Sequence, residues 1–337
     1  MVCEPANGPR PAGPRPRRLY ARRMDALALA DPGYAAATDA VGLLDRSELG
    51  KLALSGPEAV AFLDSLLSND IAAIAPGGGA DATLLTHKGR MLAEVRVLRT
   101  EEELLLDTER VALQALFDAL HQFRIGYRAE LHKRTLQRGL WSLIGPAAER
   151  VLASAPGPAE HDHVPGVIAG LPVRAIRTAF GVDVLCAAPD AAAVGAALVA
   201  AGAVAIGEEV AEIVRVEHGR PRFGVELDEE TMPQEAGIHE RAVSYAKGCY
   251  VGQETVARLY WKGKPNRLLR GLRYSAPAPA GAALLLDGRR VGAVASLVAS
   301  PRLGAVGLAL VRREAQPGAV LAVEGGEASA TVVELPF

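Results

Sequence analysis

Aromatic side chains are scarce in this chain: Phe, Trp and Tyr make up 4% of its 337 residues. Half of the residues are apolar, so a core large enough for two or three packed units must be filled by Ala, Val and Leu. Charge of one sign is also lacking. Lys and Arg number 37 and Asp and Glu 39, a net charge of −2. That is not the basic excess of a nucleic-acid-binding domain. No run of about 18 apolar residues occurs, so no membrane span is expected. Cysteine is limited to Cys3, Cys186 and Cys249. No pair has C-x-x-C spacing, and an odd number argues against a disulfide framework. No metal site is expected, and the expected location is a reducing cytoplasm. The basic N-terminus has no apolar stretch behind it, so no secretory signal is expected. Residues 1–23, rich in Pro, Gly and Arg, read as a disordered tail that cannot bury apolar surface.

What is present is periodicity. A strand at 51–54 is followed by Ser55, a candidate N-cap with Glu58 three residues on as in a capping box. The helix after it carries Val60, Leu63, Leu66 and Leu67 on one face. Strands follow at 81–85, 91–98 and 104–106. A helix bearing Val111, Leu116, Phe117 and Leu120, capped by Asp107 or Thr108, leads to a closing strand at 127–131. The next segment repeats the order: strand 140–144, helix 146–154, hairpin 173–177 and 182–187, helix 188–201, strand 203–206. The second segment follows the split βαβ pattern, and the first has the same order with an extra strand. Beyond residue 266 only strand-like runs remain, at 268–274, 283–286, 291–298, 305–311, 320–323 and 328–335, punctuated by Gly, Pro and Asp. The expected fold is therefore α+β: two ferredoxin-like units enclosing a pocket within residues 24–266, then a small antiparallel β-barrel at 267–337.

The chemistry concentrates between residues 215 and 267. Cys249 stands after Gly248 and two residues from Lys247. A glycine-bounded loop lets a ligand approach closely, and a nearby ammonium favours the thiolate. A buried cysteine acting as a small hydrophobe fits the same spacing. Cys186, in an apolar strand, reads as core. His161 and His163 flank Asp162 but have no third ligand at metal spacing, so they read as a solvated loop.

The run Lys-Gly-Cys-Tyr-Val-Gly-Gln-Glu at 247–254 resembles the signature of the YgfZ-type folate-binding family, whose members support iron–sulfur proteins. The stretches at 42–51, Phe62-Leu63 and Ser68-Asn69-Asp70-Ile71 resemble the glycine-cleavage aminomethyltransferase superfamily, as does Arg215-Val216-Glu217 with Gly219, Gly224 and Pro233. The resemblance implies a tetrahydrofolate pocket and a functional thiol at Cys249, assisted by Lys247. It also implies Glu217 as the carboxylate that meets the pterin's amino group and adjacent ring N–H at once. Asp107 falls where the superfamily places a folate-contacting asparagine. Tyr250, Gln253, Glu254 and Arg258 are the remaining contacts it implies around the folate. Partners would be folate and iron–sulfur client or assembly proteins. Two rivals stay open: a folate-dependent aminomethyltransferase or demethylase, and a folate-binding module without thiol chemistry. Against the first, Ala93 and Glu94 stand where the enzymes carry an Asp pair. On the folate–thiol reading, Glu217 and Cys249 share one cavity.

Overall fold

The computed structural model describes residues 32–337; the tail expected at 1–23 lies outside them. Helix α1 (Pro32–Asp39) and strand β1 (Gly42–Asp45) precede the first unit. That unit runs β2 (Gly50–Ser55), α2 (Ala59–Leu66), β3 (Gly79–Leu85), β4 (Met91–Arg99), β5 (Glu103–Thr108), α3 (Leu113–Phe123) and β6 (Glu130–Lys133). Its antiparallel sheet has the order β3-β4-β5-β2-β6. Alternation along β4 decides what faces what. Met91, Ala93, Val95 and Val97 are buried under α2 and α3, against Phe62, Leu63, Leu66, Leu116 and Leu120. Glu94 and Arg96 consequently point to the other side, because successive strand residues alternate faces. The expected capping box does not form. Helix α2 starts at Ala59, and the Glu58 carboxylate instead accepts from the Arg128 backbone N–H and guanidinium.

The second unit is built from β7 (Arg138–Ile144), β8 (His163–Ile168), β9 (Leu171–Thr178), β10 (Gly181–Ala187), α4 (Ala191–Ala200) and β11 (Val204–Ala205). Its sheet order is β11-β1-β7-β10-β9-β8, with β1 and β11 parallel. Two expectations are corrected. The helix at 146–154 is a single 3-10 turn, Ala148–Val151. The stretch read as a solvated loop contains β8, and His161 and His163 are both buried. The Pro and Gly within β8 hid the strand: Pro165 and Gly166 pair with β9 at the sheet edge, where a missing N–H costs no ladder bond. The two sheets meet through Ala53, Leu98 and Leu105 on one side and Ile176 and Leu185 on the other.

Helices α5 (Glu208–Glu217), α6 (His239–Ala242) and α7 (Gln253–Lys262) lead to the last unit. Strands β12 (Arg267–Tyr274), β13 (Ala283–Leu286), β14 (Arg289–Ala293), β15 (Val298–Ser300), β16 (Gly304–Arg312), β17 (Val320–Val323) and β18 (Ser329–Val333) follow. The circuit β12-β18-β17-β13-β14-β16 closes through the β12–β16 pairing, and β15 extends β16 outside the ring. The run expected as one strand at 291–298 is divided between β14 and β15. Leu272, Leu284, Val311, Leu321 and Val332 fill the barrel.

One carboxylate pins the barrel to the rest. Glu217, buried at the end of α5, accepts from the Tyr34 hydroxyl of α1 at 2.8 Å, from the Ser300 hydroxyl of β15, and from Arg302 at 3.2 Å. Burial and this carboxylate push the Tyr34 phenol up to about 12. Replacing Glu217 with Ala strands the two hydroxyls. The expected cost is about 2 kcal/mol in urea unfolding, and an unchanged midpoint would show that the lock contributes nothing.

Candidate functional site

Between the two sheets lies a cavity of about 270 Å³. Its character is set by arginines, four of them each held between two carboxylates. Arg96 of β4 donates to Asp107 of β5 at 2.8 Å and to Asp183 of β10 at 2.7 Å. Arg241 bridges Asp81 and Glu94. Arg215 bridges Glu212 and Glu226, and Arg222 bridges Glu109 and Glu208 at 2.8 and 2.6 Å. Taking a charge out of water is costly unless it is paired. These four guanidiniums are each paired twice, while Arg46 and Arg220 at the cavity wall meet one carboxylate each, Glu208 and Glu160. The carboxylates differ. Burial raises the Asp107 carboxyl above its usual range, with Arg96 offsetting only part. Burial likewise raises Glu94, against the pull of Arg241. Burial works to raise Asp81 too, but His161 and Arg241 outweigh it and hold that carboxyl low. Ser142 donates to Asp183 at 2.6 Å. Among the described residues nothing donates to the second oxygen of Asp107, so it is free to accept from a ligand.

Of the residues expected to contact folate or act with the thiol, Asp107 lines this cavity, as do Glu94, His161 and Arg215, which the sequence also brought to notice. It lies in β5 and does not cap a helix, since α3 begins at Leu113. Glu217 lines a different recess, of about 420 Å³, with Arg177, His218 and Arg302. The reason is helical geometry. Ala211 and Arg215 of α5 face the cavity, and Glu217, two residues on, is turned about 200° around the axis. The cavity and the recess share only the turn Thr178, Ala179 and Phe180.

The signature loop lies elsewhere again. Cys249 is exposed and lines neither space, so the structure does not place it in one cavity with Glu217. The Lys247 side chain is turned inward. It is 2% exposed, and its ammonium donates to the carbonyls of Asp64, Leu67 and Asn69, with the Asp64 carboxylate at 3.1 Å. Burial pulls its pKa down, with Asp64 partly offsetting. Tyr250 packs in the core of the first unit, with the Lys247 ammonium 5.5 Å from its ring centre. Burial pushes its phenol up to about 12. Gln253 is half-buried, and Glu254 and Arg258 are exposed along α7. Gly252, at φ +84, has room only for hydrogen, because a Cβ there would strike the Thr86 carbonyl. Lys247 and Gly252 thus hold the Cys249 loop from both sides.

Sequence reading did not point to Arg96, Arg241, Asp81 and Asp183, and suggested a solvated loop for His161, whose Nε2 lies 3.3 Å from Asp81. The alternation of β4 was the usable signal, since it places Glu94 and Arg96 on one face. Replacing Lys247 with Met leaves three carbonyls without a donor. The expected outcome is a loss of about 2–3 kcal/mol in unfolding and faster amide exchange across residues 244–251. Unchanged exchange there would contradict the clamp.

The sequence profile of the GCVT N-terminal domain matches residues 15–247, and that of the glycine cleavage T-protein C-terminal barrel domain matches residues 267–337. The aminomethyltransferase of Rubrobacter xylanophilus is 30% identical over 88% of this chain and 82% of its own length. That of Mycobacterium leprae is 30% identical over 90% and 87%. The crystal structure of the glycine cleavage system aminomethyltransferase T from Bartonella henselae superposes with a TM-score of 0.81 at 25% identity, over 91% of this chain and 88% of that one. No helix among the described residues is long and apolar enough to cross a membrane. By sequence and by fold, the chain belongs to the GCVT, aminomethyltransferase-like family.

Proposed function

We propose that this protein binds tetrahydrofolate in the cavity between the sheets and supports iron–sulfur proteins through Cys249, as a YgfZ-type member of its family. The observation that carries the folate half is the Arg96 bridge. It fixes the Asp107 and Asp183 carboxylates across a cavity of about 270 Å³, with one Asp107 oxygen free. A pterin edge offers an amino group beside a ring N–H, and a fixed carboxylate accepts both. In this reading the pterin contact belongs to Asp107 and Asp183, and Glu217 acts as an inter-unit lock. Cofactor sites are commonly apolar clefts with few polar groups; this one is far more polar, which suits a heterocycle rich in hydrogen-bonding atoms.

The thiol half rests on the signature loop. An exposed Cys249 held by Lys247 and Gly252 is presented outward, where another protein can reach it. A stable cluster needs about four thiolates. A single thiol therefore acts transiently on a client or together with a partner's ligands.

A second reading, folate-dependent aminomethyl transfer, is favoured by the names of the relatives and by Glu94. Its carboxylate faces the cavity, and burial raises its pKa. Beside it, Ala93 is fully buried in the core of the first unit and offers no second carboxylate.

Calorimetric titration with tetrahydrofolate separates these claims. Asp107→Ala and Asp183→Ala should each weaken binding by about tenfold or more, the loss of one charge-assisted hydrogen-bond pair. Cys249→Ser should leave affinity unchanged. Wild-type affinity in both Asp variants would overturn the assignment of the site. In a glycine-cleavage assay the purified protein should show no aminomethyl transfer, and turnover at the rate of a true aminomethyltransferase would decide for the second reading.

A further inference from the structure

The surface of α7 carries a feature that neither the cavity nor the core uses. Glu254, Arg258, Trp261 and Lys262 recur at i, i+4, i+7 and i+8, a single helical stripe, and all four are exposed. The opposite side holds Val256, fully buried against the turn at Gly89. In a chain with two tryptophans, Trp261 is 70% exposed and its neighbour Tyr260 45%. These rings are not loose. Tyr260 stacks on Tyr245 with centroids 3.9 Å apart, Trp261 meets Tyr260 edge-on at 4.8 Å, and His239 abuts Tyr260 at 6.2 Å. The platform is flanked by exposed Arg258, Lys262 and Lys264, with Glu254 the acidic member of the stripe. This is a local positive excess on a chain of net charge −2.

We propose that this stripe is the docking surface for a protein partner whose contact face offers an apolar pocket rimmed by Asp and Glu. The proposal rests on the reading of Cys249 as a thiol that acts on such a partner. Trp, Tyr and Arg are the residues that dominate interface energetics, and pre-ordered rings lose little entropy on binding. The flanking cations select an acidic rim by charge complementarity. Reach is sufficient. Helix α7 is about 15 Å long, whereas one side of an ordinary interface covers about 800 Å², roughly 30 Å across. A partner centred on Trp261 therefore extends over the Cys249 loop that leads into the same helix. An acidic residue within the stripe and the negative chain as a whole disfavour a nucleic acid on this face.

The test uses the full-length protein in a host lacking its own copy, with the activity of an iron–sulfur dehydratase as the readout. Trp261→Ala combined with Lys262→Glu should lower that activity to the level of the empty host. Tetrahydrofolate affinity and melting temperature should stay at wild-type values, since both side chains point to solvent. Lys264→Glu alone should give a partial loss, and its deficit in partner binding relative to wild type should narrow as ionic strength rises. Wild-type dehydratase activity in the double variant, with Cys249→Ser inactive, overturns the docking surface while leaving the thiol reading intact. Full activity in Cys249→Ser overturns both. If the double variant keeps its activity but loses retention by an oligo-dT strand that the wild type binds, the face serves nucleic acid and the proposal is wrong.

Discussion

The Arg96 guanidinium ties the two sheets together across the cavity. Arg96 leaves β4 on the side away from the first core and meets Asp107 on the neighbouring strand and Asp183 on the opposing sheet. With its side chain 10% exposed, it cannot lose either partner to water cheaply. Ala53, Leu98, Leu105, Ile176 and Leu185 form a small apolar cluster between the sheets, and with the charged bridge, the His161–Asp81 pair and the His163 N–H to Gly77 carbonyl bond it sets the width of the space between them. The cavity is what remains where the sheets are held apart by ion pairs rather than closed by side-chain packing.

Under the proposed function, that arrangement separates two tasks. The cavity presents fixed carboxylates and guanidiniums to a polar ligand, while the thiol stands on the outer surface at the entrance to α7. What joins them mechanically is the turn at 86–90. Its Thr86 carbonyl and Gly89 lie against Gly252 and Val256 of the Cys249 segment, and β4 departs from it directly toward Glu94 and Arg96. Under the proposed function, a ligand that shifts β4 bears on the thiol loop through this turn.

The sequence disclosed the architecture better than the site. Regular alternation and amphipathic spacing placed β2 to β6, α2, α3 and most barrel strands within a few residues, because local patterning decides those elements. It failed at β8, where Pro165 and Gly166 sit on a sheet edge and look like loop, and at α5, where buried Glu212, Arg215 and Glu217 break the apolar period. The same three residues explain why the expected shared cavity of Glu217 and Cys249 is not found. A buried carboxylate beside a family-like motif reads as a ligand contact, and only the rotation around α5 shows that Glu217 turns toward Tyr34 and Ser300. The surroundings of Lys247 were hidden for a related reason: a lysine next to a cysteine suggests activation, and the three backbone carbonyls folded in from residues 64–69 that take up its donors lie far off in sequence. Charge partners distant in sequence are invisible to spacing.

The central claim is that the Arg96 bridge organises a folate site between the sheets. A crystal structure of the complex with tetrahydrofolate tests it most directly. The account predicts the pterin ring between β5 and β10, with its amino edge on Asp107 or Asp183 and the Tyr34–Glu217–Ser300 contacts unbroken. A pterin seated in the recess beside Glu217 and Arg302, with the space at Arg96 filled only by water, would contradict it.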